Sequence, residues 1–257
     1  EFMSDSTLTT TVFSGVPRTL LLTTRARVDE HQRPHGILHD PMIAEWWPAL
    51  TWDPALDGLY QPLGQLGWAL RAHVFDEIVQ RHLAVHNQAV VVELGAGLST
   101  RYYRVGQQSH CWLELDLPAV IHLRQQFETE SDRYRLIPRS VVDWSWLDEV
   151  PDCPPEHLLI LAEGLLMYLE PDEVQALITQ LKQRFAGATL VFDAVGGLTR
   201  GRTAQQLASL DAPLKWLGSL VEQTTPLSQC VIFSGESSLG VMSSSISVAC
   251  GFLGMRI

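Results

Sequence analysis

The run Ala89-Val-Val-Val-Glu-Leu94, closed by Gly95-Ala96-Gly97, constrains this chain more than any other segment. A short β-branched run ending in glycine reads as a strand buried on both faces, and such strands belong to parallel sheets. Parallel neighbours need crossover connections, so helices must alternate with the strands. The sequence supplies that alternation. A helix over 63–86 carries Leu66, Ala69, Leu70, Val74, Ile78, Val79 and Leu83 at three- and four-residue spacing. Thr100–Val105 starts another helix, Cys111–Leu115 is a second strand, and Pro118 opens a helix over Ala119–Phe127. Tyr134–Ile137, Leu158–Ala162 and Ala188–Asp193 read as further strands, with a helix from Pro171 to Phe185 between the last two. Helices fill 203–222, and Gln229–Phe233 with Ile246–Cys250 form an antiparallel hairpin at one edge. The expectation is an α/β fold with a seven-stranded, mostly parallel sheet, Rossmann-like, and helices on both faces.

Residues 1–62 differ from the rest. Trp46, Trp47, Trp52 and Tyr60 lie among Pro41, Pro48, Pro54 and Pro62, in a segment too irregular to fold alone. Two readings stand side by side: packing on the main core, or an N-terminal helical lid over an apolar ligand. The division expected is a lid over 1–62 and a cofactor-binding domain over 63–257.

The 257 residues carry a net charge of −11, which speaks against nucleic acid and anionic membrane surfaces as partners. Leu158–Leu169 is the longest apolar stretch, broken by Glu163 and Gly164, and falls short of a membrane span. Cys111, Cys153, Cys230 and Cys250 are widely spaced, as expected of free thiols in a reducing setting. The start, Glu1-Phe2-Met3-Ser4, looks like a cloning remnant before a native Met with no signal peptide, so the expected location is the cytoplasm. His31, His35 and His39 recur every four residues, but Pro34 and Gly36 break any helix there. They read as a solvated loop, and no metal is expected.

The glycine turn carries the chemistry. Glycines at the carboxyl end of a buried strand let a ligand approach the backbone closely. Glu114-Leu115-Asp116 ends the second strand about 20 residues on, where an acid can take ribose hydroxyls. A third glycine, as a pyrophosphate site wants, is missing, and Glu93 would sit badly beside phosphate but well beside a cationic amino-acid tail. This favours S-adenosyl-L-methionine over a dinucleotide.

Three runs, Glu93–Arg101, Leu113–Pro118 and Ala162–Leu169, together resemble the leucine carboxyl methyltransferase family, and most of all its bacterial branch of polyketide O-methyltransferases of the tetracenomycin-pathway type. Ala26-Arg27 with Glu30, Asp40-Pro41, Arg71–Asp76 and Ala212–Trp216 are similar to further blocks of the family. The resemblance covers roughly 17–217. It implies a class I methyltransferase using S-adenosyl-L-methionine and a small-molecule substrate. It also implies that Arg71 and Arg27 grip the cofactor's methionine carboxylate, and that Glu93, Gly95, Ala96 and Gly97 lie under the methionine. Asp116 and Leu117 would meet the ribose side, Asp143 and Trp144 the adenine, and Glu163 and Gly164 the amino group. The catalytic residue, the acceptor and the oligomeric state stay open. The alternatives are a protein C-terminal carboxyl methyltransferase, a dinucleotide oxidoreductase, or an interaction module that has lost catalysis. Read without the family, Arg71 is preferably a surface charge, Asp143 has a helix cap as its alternative, and Leu165, Met167 and Tyr168 are more often core than substrate wall.

Overall fold

A computed structural model describes residues 15–194, 202–216 and 253–256 of the chain. Its core is a six-stranded sheet in the order β3-β2-β1-β4-β5-β6. The strands are β1 (Val90–Leu94), β2 (Cys111–Asp116), β3 (Tyr134–Pro138), β4 (Leu158–Ala162), β5 (Thr189–Phe192) and β6 (Leu253–Arg256). The first five are parallel, and β6 runs antiparallel on the edge of β5. The expected hairpin residues, Gln229–Phe233 and Ile246–Cys250, lie outside the described residues, as do the expected helix residues beyond 216. The edge strand that is described falls a few residues later, at Leu253–Arg256.

Strands β1 and β4 are buried along their whole length because each has strands on both sides and helices above and below. One face of the sheet, with Val92, Leu113, Ile160 and Leu190, packs on Val174, Leu177 and Leu181 of α5 (Pro171–Arg184). That helix opens with Pro171 inside a Glu170–Glu173 capping box, with Asp172 in its first turn and Lys182 and Arg184 in its last. The opposite face, with Val91, Trp112, Leu159 and Val191, packs on Val74, Phe75 and Val79 of α3 (Pro62–Val85).

The N-terminal segment shares this body. It contains α1 (Leu20–His31) and α2 (Pro41–Trp46), the latter capped by Asp40. Leu21, Ile43 and Trp46 belong to one cluster with Leu98, Val120 and Leu123 of the sheet domain, Val120 and Leu123 lying on α4 (Pro118–Arg124). Among the tryptophans, Trp46 stacks on Phe127 at 5.1 Å, and Trp47, Trp52, Tyr60 and Trp68 form an aromatic chain at 6.3, 5.6 and 6.0 Å. Arg25 lies 4.5 Å over Trp52 and 4.3 Å over Tyr60. These contacts realise the packing alternative for most of the N-terminal aromatics.

Candidate active site

The strand order reverses between β1 and β4, and open α/β sheets bind ligands at the carboxyl ends beside such a point. A cavity of ≈ 1270 Å³ lies there. Its floor comes from the segments after β1, β2, β4 and β5 together with Arg71 of α3, and its roof from α1 and the first turns of α3.

After β1 the chain must turn at once. Gly95 and Gly97 have φ of 62° and 54°, in the left-handed region. A side chain on Gly95 would also begin 2.8 Å from Leu165 Cδ1. Asp116, at the end of β2, closes the turn: its Oδ2 accepts from the Gly97 N–H at 2.7 Å and its Oδ1 from the Leu117 N–H at 2.7 Å. Burial raises the Asp116 carboxyl above its ordinary range, against these two bonds. Leu117 is 41 % exposed and lines the cavity beside Asp116.

Below the turn runs a continuous set of ion pairs. Arg27 holds Asp40, Arg104 bridges Asp40 and Asp76, and Arg101 joins Asp76, Glu93 and Glu163. Arg71 then joins Glu163 at 2.9 Å to Asp193 at 3.0 Å. The four guanidiniums face five carboxylates, which leaves one negative charge in excess. Burial would lift the Glu163 carboxyl, but Arg101 and Arg71 overcome it and hold Glu163 at about 2. Glu93 moves the other way: burial raises it despite Arg101, and its buried Oε2 lacks a hydrogen-bond partner among the described residues. Gly164 takes φ 66° where a side chain would start 2.9 Å from Arg71 Nη2, and its N–H donates to Asp193.

The structure thus brings Arg27, Arg71, Glu93, Gly95, Ala96, Gly97, Asp116, Leu117, Glu163 and Gly164 to one cavity. Arg27 has other work there: Nη1 donates to Asp40 and Thr100, and Nη2 to the Leu98 carbonyl at 2.8 Å. Asp143 and Trp144 do not line it; Val141 and Val142 do. Asp143 instead caps the short helix Trp144–Glu149, accepting from the Ser145 N–H at 3.2 Å and the Ser145 hydroxyl at 2.6 Å. Trp144 packs against the core. Sequence reasoning missed the roles of Arg101 and Asp193. The signal was present for Asp193, a carboxylate at the carboxyl end of a strand, but it passes as an ordinary strand terminus. Leu165, Met167 and Tyr168, which alone read as core, face the cavity.

The family described as leucine carboxyl methyltransferase matches residues 21–182. The chain is 32 % identical over 206 residues to the tetracenomycin polyketide synthesis O-methyltransferase TcmP of Streptomyces glaucescens, covering 79 % of this chain and 75 % of that one. It is 28 % identical over 220 residues to the S-adenosyl-L-methionine-dependent methyltransferase dpfgK of Gibberella zeae, covering 77 % of this chain and 72 % of that one. A crystal structure from Thermobifida fusca YX, assigned as a methyltransferase, shares the fold with a TM-score of 0.57 at 15 % identity, over 99 % of this chain and 98 % of that one. The glycine turn and the acid ending β2 stand at the carboxyl ends of the strands beside the switch point, and the chain belongs to the leucine carboxyl methyltransferase family as a methyltransferase dependent on S-adenosyl-L-methionine.

Proposed function

We propose that the chain methylates a carboxylate oxygen of a small, largely apolar natural-product acid of the polyketide kind. The observation that carries this is the cavity itself. At ≈ 1270 Å³ it exceeds the span of ~300–1,000 Å³ usual for one small-molecule site, which leaves room for an acceptor beside the cofactor. Its roof is apolar: Leu63 and Leu66 of α3 are 70 % and 43 % exposed and both line it. Among the described residues no histidine does. A carboxylate acceptor, ionised at neutral pH, needs no general base, whereas a phenol with a pKa of about 10 needs one.

The residues present fit the cofactor. When bound, S-adenosyl-L-methionine supplies an electrophilic methyl group on a sulfonium. Arg71 spends Nε on Glu163 and Nη1 on Asp193, which frees Nη2 for the methionine carboxylate. Glu93 lines the cavity with a buried Oε2 that lacks a partner among the described residues, and this suits an ammonium, a role sequence reasoning gave to Glu163, whose two oxygens are both held by arginines. Each Asp116 oxygen keeps a lone pair for a ribose hydroxyl, and Leu117, Val141 and Val142 offer an apolar slot for a purine. The excess negative charge of the ion-paired floor suits a cationic ligand. Catalysis then rests on holding the acceptor in line and excluding water.

In this reading residues 15–62 supply the N-terminal part of the roof over the rest of the chain, and the enzyme works in the cytoplasm. The test is a mass-spectrometric methylation screen of aromatic and polyketide-like carboxylic acids and phenols. Turnover of acids with a flat rate from about pH 6 to 9 is expected. A rate rising with pH on phenols alone would overturn the carboxylate reading.

A further inference from the structure

The carbonyls of the cofactor turn present a problem of their own. Gly97, Leu98 and Ser99 lie between a strand and an irregular turn, so they lack the regular ladder that would satisfy them. Each instead receives an arginine. Arg27 Nη2 donates to the Leu98 carbonyl at 2.8 Å, while Arg124 donates through Nη1 to Gly97 at 2.7 Å and through Nη2 to Ser99 at 2.9 Å.

We propose that Arg124, which no cofactor-facing role requires, is a positioning residue that sets the shape of the cofactor turn from behind. The inference rests on the reading that this turn carries S-adenosyl-L-methionine. Arg124 is fully buried at the end of α4 and does not line the cavity. Its charge is met by Glu114 and by Glu128, the latter at 2.7 Å, and Tyr134 accepts from it at 3.0 Å. Glu114 and Asp116 lie two apart on β2 and so point to the same face. One short segment therefore grips both sides of Gly97: Asp116 takes its N–H, and eight residues later Arg124 takes its C=O. With donor and acceptor both held, Gly97 cannot rotate out of its left-handed conformation without breaking charge-assisted bonds.

The alternative is that Arg124 only stabilises the fold. The two roles give different kinetics. A fold-only role lowers the melting temperature and the active fraction but leaves the KM for S-adenosyl-L-methionine unchanged. A positioning role raises that KM, because the turn no longer holds one shape, while the acceptor KM stays put and kcat changes far less.

The experiment compares the parent chain with Arg124→Met, Arg124→Lys and Glu114→Gln by calorimetric titration with S-adenosyl-L-methionine and by steady-state kinetics. Melting curves would run alongside. Arg124→Met should weaken cofactor affinity roughly 10- to 100-fold. Arg124→Lys, able to reach one carbonyl, should recover part of that loss, and Glu114→Gln should fall between Lys and the parent. If Arg124→Met does not fold, the Lys and Gln variants decide. Folded variants with the parent's cofactor affinity would overturn the proposal. A parent chain that binds no S-adenosyl-L-methionine would instead overturn the cofactor reading itself, and this inference with it.

Discussion

The two walls of the cavity are built on opposite principles. The floor is ionic: Arg71 and Asp76, from the inner turns of α3, join Arg101, Arg104, Glu93, Glu163 and Asp193 with little water access. The roof is apolar and open, with Leu63 and Leu66 of α3 facing the cavity and solvent. Buried ion pairs are geometrically exacting, because an unpaired partner is costly, so the floor has a single arrangement. Apolar surface is forgiving, since a leucine wall accepts many shapes. The difference matches the two ligands. The cofactor of the proposed reaction carries a charged amino-acid tail, whereas its proposed acceptor is largely apolar.

The hardest blow to this comparison is on Arg101, whose guanidinium is 1 % exposed and joins Asp76, Glu93 and Glu163. Arg101→Met strands the buried Glu93 carboxylate and takes one of two arginine partners from Asp76 and from Glu163, and should cost about 3–5 kcal/mol. Urea denaturation would measure it. Arg101→Lys should fail almost as badly, because one ammonium cannot replace a fork reaching three acids. If Arg101→Met unfolds at the parent's urea midpoint, the floor is not an exacting wall.

The acid limb of stability gives a second test. Glu163 is held at about 2 in the folded protein against an ordinary 4.5. A depressed carboxyl contributes stability that is fully present above pH 4.5 and is lost as pH falls toward 2. The contribution is about 3 kcal/mol at most. Glu163→Gln should be less stable at pH 6 and should lose less than the parent between pH 4.5 and 2. Parallel pH–stability curves would refute the pairing.

Next in size is Arg71→Ala, which removes the Nη2 assigned to the cofactor carboxylate and breaks two ion pairs. It should weaken S-adenosyl-L-methionine binding roughly 10- to 100-fold by calorimetry. Unchanged affinity would move the carboxylate elsewhere, most simply to Arg27.

The same contrast explains what the sequence made legible. The floor's outline was readable because strand ends are marked by glycine and acid: Gly95 after β1, Asp116 after β2, Glu163 after β4. Its pairings were not, since Arg101 meets Glu163 only because β1 and β4 are neighbours, and that adjacency is a matter of topology. Asp143 and Trp144 show the converse. The resemblance carried them to the adenine; the cap that Asp143 makes through Ser145 is the other reading the sequence offered, and neither residue lines the cavity. Helix α1 was foreseen only as part of an N-terminal helical lid, without bounds. Leu20, Leu21, Leu22, Thr24, Ala26, Arg27, Val28 and Glu30 are all buried, so no polar face alternates with an apolar one to reveal a period.

The smallest expected effects lie in the roof, and they decide whether it is the acceptor wall. Leu63 and Leu66 are one turn apart, so they present side by side on α3, and both are substantially exposed. Leucines left in water contribute little to folding, so Leu66→Ala and Leu63→Ala should each shift stability by less than about 1 kcal/mol. If they contact the acceptor, each should raise the acceptor KM several-fold, about 1 kcal/mol of lost apolar contact. The KM for S-adenosyl-L-methionine should not move, because the floor is untouched. Steady-state kinetics with the best acid from the screen would measure both constants. A rise in the cofactor KM instead would place these leucines over the methionine or ribose, and the division into an ionic cofactor wall and an apolar acceptor wall would fall. No change in either constant would leave the acceptor to the opposite side of the roof, where Thr19, Leu20 and Thr23 line the cavity. The corresponding variants there, Thr23→Ala first, would then carry the acceptor effect.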